Sequence, residues 1–387
     1  MKRICVVTAT RAEYGVLKRV IKSIQMDEQL ELYLIVTGTH LMEQYGHTVD
    51  EILEDGFFIN EEIYIEHQGE TSCGISKTMS RYMDKFSECF ERVAPDMLVV
   101  LGDRYELLSI CSCAMNEGIP IAHISGGEVT EGAIDDVIRH CVTKMSYLHF
   151  VGCEEYRRRV IQLGEDPERV FNYGDVGVEN VLKTSLMSRA ELEQSLKISL
   201  DQPYGVVTFH PVTTQISESI SQVKELMDAI SDAKDMQFIV TGANADVTGE
   251  KINTLWKELS EKSQNVKYFD SLGALRYLSA VKYAEFVMGN SSSGIVEAPA
   301  LKVPTINIGD RQKGRLKADS IIDTEPKKEN IVEAIKYARS EENKKKIIEV
   351  KSLYGKGNTA IQIVDKIKEY VYSDCQFVKK FYDIEFR

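Results

Sequence analysis

The feature that most constrains this chain is an alternation of short apolar runs with amphipathic stretches, sustained almost from end to end. Asp96-Met97-Leu98-Val99-Val100-Leu101-Gly102 is the clearest run. It is continuously apolar rather than alternating, as a parallel strand covered by helices on both faces must be. Similar runs predict strands at 4–8, 30–37, 119–124, 148–151 and 170–173. Helical patterns fall between them at 14–24, 71–91, 105–116, 133–144 and 154–163, the second ending at Ala94-Pro95. A second series has strands at 205–209, 237–241, 266–269, 284–288 and 305–308, with helices at 216–231, 250–262, 274–281, after Ser291, at 328–339 and at 359–371. This βα order predicts doubly wound parallel sheets with ligands beyond the carboxyl ends of the strands.

At 387 residues the chain is too long for one ordinary domain. The series divide it into an N-terminal α/β domain over 1–180, a linker over 181–203 with a polar helix near 188–196, a C-terminal α/β domain over 204–372 and a tail over 373–387. Two such Rossmann-like domains facing each other put the active site in the cleft between them. Hydrophobic residues at 43% beside 28% charged fit a soluble protein with two cores. No apolar run is long enough for a membrane span, and the start shows no cleavage pattern of a secretory signal. The eight scattered cysteines, with no CxxC pair, fit reduced thiols in the cytoplasm, with Cys111 and Cys113 in a core. A net charge of −13 argues against nucleic acid as a partner. No group of His, Cys and Asp has metal-ligand spacing, so no metal is expected, and the absence of GxGxxG removes the dinucleotide fingerprint. No cofactor is expected.

Chemistry-bearing residues gather at predicted strand ends. Gly289-Asn290-Ser291-Ser292-Ser293-Gly294 joins a buried strand to a helix whose first turn offers unpaired N–H groups and a partial positive charge to a phosphate; the plainer account is Ser291 or Ser292 as an N-cap. Glu297, on that helix, is within reach of a sugar attached to the phosphate. Arg11, after the first strand, either meets a phosphate or pairs with Glu13. Asp103, at the lip of the 96–102 strand with Arg104 beside it, is an N-cap or a catalytic carboxylate. The loop from His123 to Asp136 holds three glycines and four carboxylates, the composition of a mobile acidic lid. In it Glu128 is a candidate general base. Asp135 shares a helix face with Arg139, and Asp136 belongs to a salt-bridged helix start. His210 follows the first strand of the second series, as an acid, a phosphate donor or a turn histidine. Arg311, Lys313 and Arg315 follow the 305–308 strand, either solvated or facing the same anion as the serine turn.

Taken together, TATRAEYG, LGDRYE, HISGGEVTEGAIDD, IRHCVTKMS, EEYRRRVIQLGE, FHPVT, GNSSSGIVEAP and INIGDRQKGR resemble the hydrolysing UDP-N-acetylglucosamine 2-epimerases of bacterial sialic-acid pathways. The resemblance runs from Arg3 to about Ile363. It implies two Rossmann-like domains of GT-B architecture, a UDP-sugar in the cleft and a homodimer. The implied reaction eliminates UDP across C1 and C2 of the sugar to give 2-acetamidoglucal, which takes up water to release N-acetylmannosamine. On that resemblance Asp103 and, allowing for a one-residue insertion in the loop, Asp135 match catalytic carboxylates. Arg11, His210, Ser291, Ser292 and Arg311 match phosphate-binding positions, Glu297 the ribose-binding one, Arg139 lies on the sugar side and Tyr277 lines the uracil pocket, with Arg104, beside Asp103, a further candidate for binding the substrate. Ser125 stands where many relatives have glutamate, which leaves Glu128, or else Glu131, to supply the third carboxylate. Thr39-His40-Leu41-Met42-Glu43 replaces the Gln-His-Arg stretch of non-hydrolysing epimerases, favouring the hydrolysing branch. The alternatives are the same chemistry on UDP-2,4-diacetamido-2,4,6-trideoxyglucose, a GT-B glycosyltransferase, and a nucleotide-sugar sensor without catalysis.

Overall fold

Every strong apolar run is a strand of a fully parallel sheet. The computed structural model describes residues 1–69, 71–130, 133–211, 216–243, 247–350, 352–373 and 377–385. In the first sheet β1 (Lys2–Thr8), β2 (Leu30–Thr37), β3 (Glu61–Ile63), β4 (Met97–Leu101), β5 (Ile121–Ile124), β6 (Leu148–Val151) and β7 (Val170–Asn172) lie in the order β3-β2-β1-β4-β5-β6-β7. In the second, β8 (Tyr204–Thr208), β9 (Gln237–Thr241), β10 (Val266–Phe269), β11 (Phe286–Gly289), β12 (Thr305–Ile308) and β13 (Ile321–Thr324) lie in the order β10-β9-β8-β11-β12-β13.

Burial on both faces explains why the runs are continuous. Ile4 and Val6 of β1, with Met97 and Val99 of β4, enter one core, while Cys5, Val7, Leu98 and Val100 enter another on the opposite face. Successive side chains of a strand point to opposite sides, so a covered sheet needs apolar residues at every position. In the second sheet Val206 and Val207 divide in the same way.

The chain forms two compact units, Met1–Asn180 with Tyr354–Arg387, and Val181–Leu353. This corrects the expected placement of the helix Thr359–Val371, whose Ala360, Ile363, Val364, Ile367 and Val371 enter a core of the first sheet, against the helix Arg11–Met26. Its start is fixed there too: the Ala360 N–H donates to Glu179 Oε2 at 2.6 Å and Thr359 Oγ1 to the Tyr173 carbonyl at 2.9 Å. An apolar stripe at helical spacing shows which face is buried, not against which sheet. Residues 181–203 are no separate linker either: Leu192, Leu196 and Leu200 pack with β8 residues in a core of the second unit. The tail is docked on the first unit, with Phe377 edge-on to Tyr147 and the Tyr382 N–H donating to the Gly164 carbonyl at 3.0 Å.

Short elements that were not expected include β3, β13 and the helices Val49–Glu54, Val176–Lys183 and Glu341–Glu349. β3 and β13 are edge strands with polar, part-exposed residues, and so lack the apolar run of a central strand.

In each sheet the strand order reverses once, between β1 and β4 and between β8 and β11. Adjacent crossovers leave in opposite directions there and open a crevice at the carboxyl ends. Most of the candidate residues lie at these two positions.

Candidate functional site

In the second unit the reversal is built on Gly289-Asn290-Ser291. Gly289 has φ +132°, and a Cβ there would stand 1.9 Å from the Thr208 carbonyl oxygen, so β8 and β11 approach closely only with glycine. Asn290, 1% exposed, follows. Its Oδ1 accepts from the His210 N–H at 2.7 Å and its Nδ2 donates to the His210 carbonyl at 2.8 Å. Its own carbonyl accepts from Arg311 Nη1 at 2.9 Å and Gln312 Nε2 at 2.8 Å. Ser291 is the N-cap of the helix Ser292–Ala300, its hydroxyl accepting from the Ser293 N–H at 3.4 Å, while Ser292 is exposed. The N-cap account is therefore correct, and it coexists with a helix N-terminus open to an anion.

Arg311 gives this place its charge. Burial, and then the positive charge of Arg315, push its guanidinium below the ordinary value. Among the described residues Arg311 makes no ion pair; its Nη1 donates to the Asn290 carbonyl. A half-buried cation beside a second cation and an open helix N-terminus lacks the negative charge that would balance it.

Beneath the serine turn Tyr277, Ser293 and Glu297 form a polar group with Thr208. Burial, then the charge of Glu297, push the Tyr277 hydroxyl up to about 12. That hydroxyl is buried and makes no hydrogen bond among the described residues. Burial raises the Glu297 carboxyl, and the Ser293 hydroxyl opposes the rise.

In the first unit Arg139 is the organiser. It is 3% exposed and lies on the helix Ile134–Met145. Its Nη2 donates to Asp103 Oδ2, and to Thr130 Oγ1 at 3.3 Å; its Nη1 donates to the Glu128 carbonyl at 3.0 Å and to Asp136 Oδ1 at 3.2 Å. One guanidinium fork thus joins the end of β4, the acidic loop and its own helix. Asp136 also accepts from the Thr130 N–H at 2.6 Å, so it is part of a tied helix start as expected. Of the two aspartates at the helix start, Asp136 rather than Asp135 is ion-paired with Arg139, which also pairs with Asp103. Asp135 instead lies near Asp103: burial, then the Asp103 charge, raise its carboxyl, against the pull of Arg104 and Arg139. Two carboxylates in different environments, one ion-paired and one raised, are the arrangement that separates acid from base roles.

His123 fixes the approach to Asp103. Its Nε2–H donates to the Gly102 carbonyl at 2.8 Å, and Nδ1 accepts from Thr143 Oγ1 at 3.2 Å. Burial lowers this imidazole to about 3, so it stays neutral. The loop beyond departs from ordinary geometry, with Ser125 at φ +66° and Gly127 at φ +79° against the Tyr156 carbonyl. Glu128 acts electrostatically on Cys153 and Tyr354, toward the β6 end. Glu131 lies outside the described residues.

Arg104 and Arg11 are committed differently from expectation. Arg104, placed beside Asp103 by sequence, donates from Nε to the buried Glu106 at 2.6 Å. Arg11 pairs with Glu51 at 2.9 Å and its side chain is 59% exposed. It does not pair with Glu13, whose carboxylate closes a capping box on the Ala9 and Thr10 N–H groups. Burial, then the charge of Glu106, raise the Glu13 carboxyl to about 8. Asn290, Gln312, His123 and Glu106 were not singled out from sequence. For Asn290 the available indication was a polar residue closing a strand that is otherwise apolar.

Two parallel α/β units, each with polar residues at its strand-order reversal, are the GT-B-like architecture of nucleotide-sugar enzymes. The chain belongs to the UDP-N-acetylglucosamine 2-epimerase family, whose model matches residues 22–368. It is 43% identical over 325 residues to the GDP/UDP-N,N'-diacetylbacillosamine 2-epimerase (hydrolyzing) of Campylobacter jejuni, covering 84% of each chain. It is 40% identical to polysialic acid biosynthesis protein P7 of Escherichia coli, covering 99% of this chain and 98% of that one. The crystal structure of UDP-GlcNAc 2-epimerase from Neisseria meningitidis bound to UDP-GlcNAc shares the fold, with a TM-score of 0.76 at 17% identity over 95% of this chain and 100% of that one. Among the described residues no helix is long and apolar enough to cross a membrane, and the seven cysteines are free thiols.

Proposed function

We propose that this protein is a hydrolysing 2-epimerase that converts UDP-N-acetylglucosamine to N-acetylmannosamine and UDP. The observation that carries the reading is the serine turn at the β8/β11 reversal beside Arg311, a half-buried cation with no ion pair among the described residues. Family membership supplies the chemical class. A base removes the C2 proton, the C1–O bond breaks, and its electron pair leaves on UDP. The resulting 2-acetamidoglucal accepts hydroxyl at C1 and a proton at C2 on the opposite face.

In this scheme Ser291, Ser292, His210 and Arg311 take the diphosphate, Arg11 assists, Glu297 takes the ribose and Tyr277 lines the base pocket. Charge-assisted hydrogen bonds of about 1.5–3 kcal/mol each, aimed at charge that grows as the pyrophosphate departs, lower the barrier to elimination. Asp103 and Asp135 handle the C2 proton. Asp103 is ion-paired with Arg139, while burial and then the Asp103 charge raise the Asp135 carboxyl, a difference in surroundings that suits the pair to acid and base roles. Glu128 is the third carboxylate, while Arg104 and Arg139 support the sugar side.

The name of the Campylobacter relative supports a second reading, the same chemistry on UDP-N,N'-diacetylbacillosamine. NMR of the purified protein in D₂O with each UDP-sugar, without acceptor or metal, tests both. The first reading requires UDP and N-acetylmannosamine deuterated at C2. Release of the corresponding 2-epimer only from the diacetamido sugar would select the second. Retention of protium at C2 would remove elimination altogether.

A further inference from the structure

We propose that Asn290 is the positioning residue of the anion cradle, a single buried amide that sets the places of His210 on one side and Arg311 on the other. This inference rests on reading the serine turn as the diphosphate site. Asn290 clasps the His210 main chain at both its N–H and its carbonyl, 80 residues away in sequence, which needs a donor and an acceptor on one short planar group. With the side chain held in two places, the Asn290 peptide has one orientation. Its N–H donates to the Thr208 carbonyl at 3.2 Å, and its carbonyl takes Arg311 and Gln312 together. Gln312 is itself 3% exposed. The next peptide starts the helix whose first turn receives the anion.

All sides of the cradle therefore refer to one residue: the end of β8, the start of the helix Ser292–Ala300 and the loop after β12. Asn290 contacts the groups that contact the ligand, and it acts through them. Loss of its amide releases the His210 main chain and frees the Asn290 peptide to turn, so Arg311 and the helix N–H groups no longer converge on one point. A displacement of even about an ångström at such a site is costly, because binding there depends on several donors meeting the same oxygens. The effect is specific to the phosphate part of the ligand.

The test uses the full chain and isothermal titration calorimetry with UDP and with uridine. Asn290→Ala is expected to weaken UDP at least about tenfold, as loss of aimed charge-assisted hydrogen bonds implies, while uridine affinity changes less than about twofold. Asn290→Ser, which keeps one hydroxyl for the clasp, carries the same test if the alanine variant does not fold. UDP affinity reduced less than tenfold, or uridine affinity falling in parallel with UDP, overturns the inference. If the unmodified protein binds no UDP, the functional reading itself fails. If it binds UDP and the Asn290 variants bind it equally well, only the positioning role fails.

Discussion

Asp103 and Arg311 have opposite needs, and the difference makes them separable by mutation. Asp103 has its counter-charge in Arg139, whereas Arg311 makes no ion pair among the described residues and donates to the Asn290 carbonyl. Replacing Asp103 by Asn is expected to cut turnover by about 10²–10⁴, the usual size of a lost acid–base group, with UDP affinity unchanged by calorimetry. Arg311→Ala should do the reverse in part, weakening UDP by about one to two orders of magnitude. Unchanged turnover in Asp103→Asn would take that carboxylate out of the mechanism. The Asp135 carboxyl offers a finer check. It lies above the ordinary aspartate range through burial first and the Asp103 charge second. Removing that charge makes ionisation of Asp135 easier, so in Asp103→Asn its titration, followed by carboxyl ¹³C NMR, moves to lower pH without reaching the fully exposed value. An unmoved titration would mean that the two groups do not interact.

Among the elements, the strand–turn–helix at Gly289 has the least freedom. A Cβ at that position meets the Thr208 carbonyl at 1.9 Å and demands φ +132°, so Gly289→Ala must push β8 and β11 apart. The expected loss of stability is at least the about 1–3 kcal/mol of an enforced backbone strain, seen as a lower denaturation midpoint, together with weakened UDP binding. At this scale much was legible from sequence. The central strands announce themselves because they are buried on both faces and mostly apolar, Met97–Leu101 at every position. β3 and β13 were invisible because an edge strand with one part-exposed face carries the composition of a loop. Side-chain pairing was less legible than secondary structure. Helical spacing offers Asp135 and Asp136 almost equally to Arg139, and only the fold reveals Asp103, 36 residues earlier, as a further partner. The partner of Arg104 was illegible for a related reason, since adjacency to Asp103 in sequence says nothing about the buried Glu106 that accepts from its Nε.

At the scale of the whole molecule, the tail and the last helix close the first unit rather than the second. The tail is anchored on Glu165, fully buried, which accepts from His149 Nε2 at 2.9 Å, Lys144 Nζ at 2.6 Å and Lys379 Nζ at 2.8 Å. Lys379 also donates to the carbonyls of Lys144 and Ser146 at 2.6 Å each, capping the C-terminal end of the helix that carries Arg139. Burial works against ionisation of Glu165, but the His149 N–H and the two ammonium groups prevail and hold its carboxyl at about 2. A carboxyl depressed in the folded state stabilises above its ordinary value and loses that contribution as pH falls toward the folded value. Acid unfolding between about pH 4.5 and 2 should therefore include a Glu165 component. Lys379→Met should destabilise the unit by about 1.5–3 kcal/mol and shift that component to higher pH, measured by denaturation across the range. An acid profile identical to that of the unmodified protein would exclude Glu165 as the tail's anchor.

The discontinuity of the first unit also bears on how the protein is made. Residues 1–180 leave the ribosome with a gap where Thr359–Val371 belongs, while residues 181–353 can complete their own core first. The half that is synthesised earliest is thus the half that matures last, and it spends most of translation with the flank of its Arg11–Met26 helix uncovered.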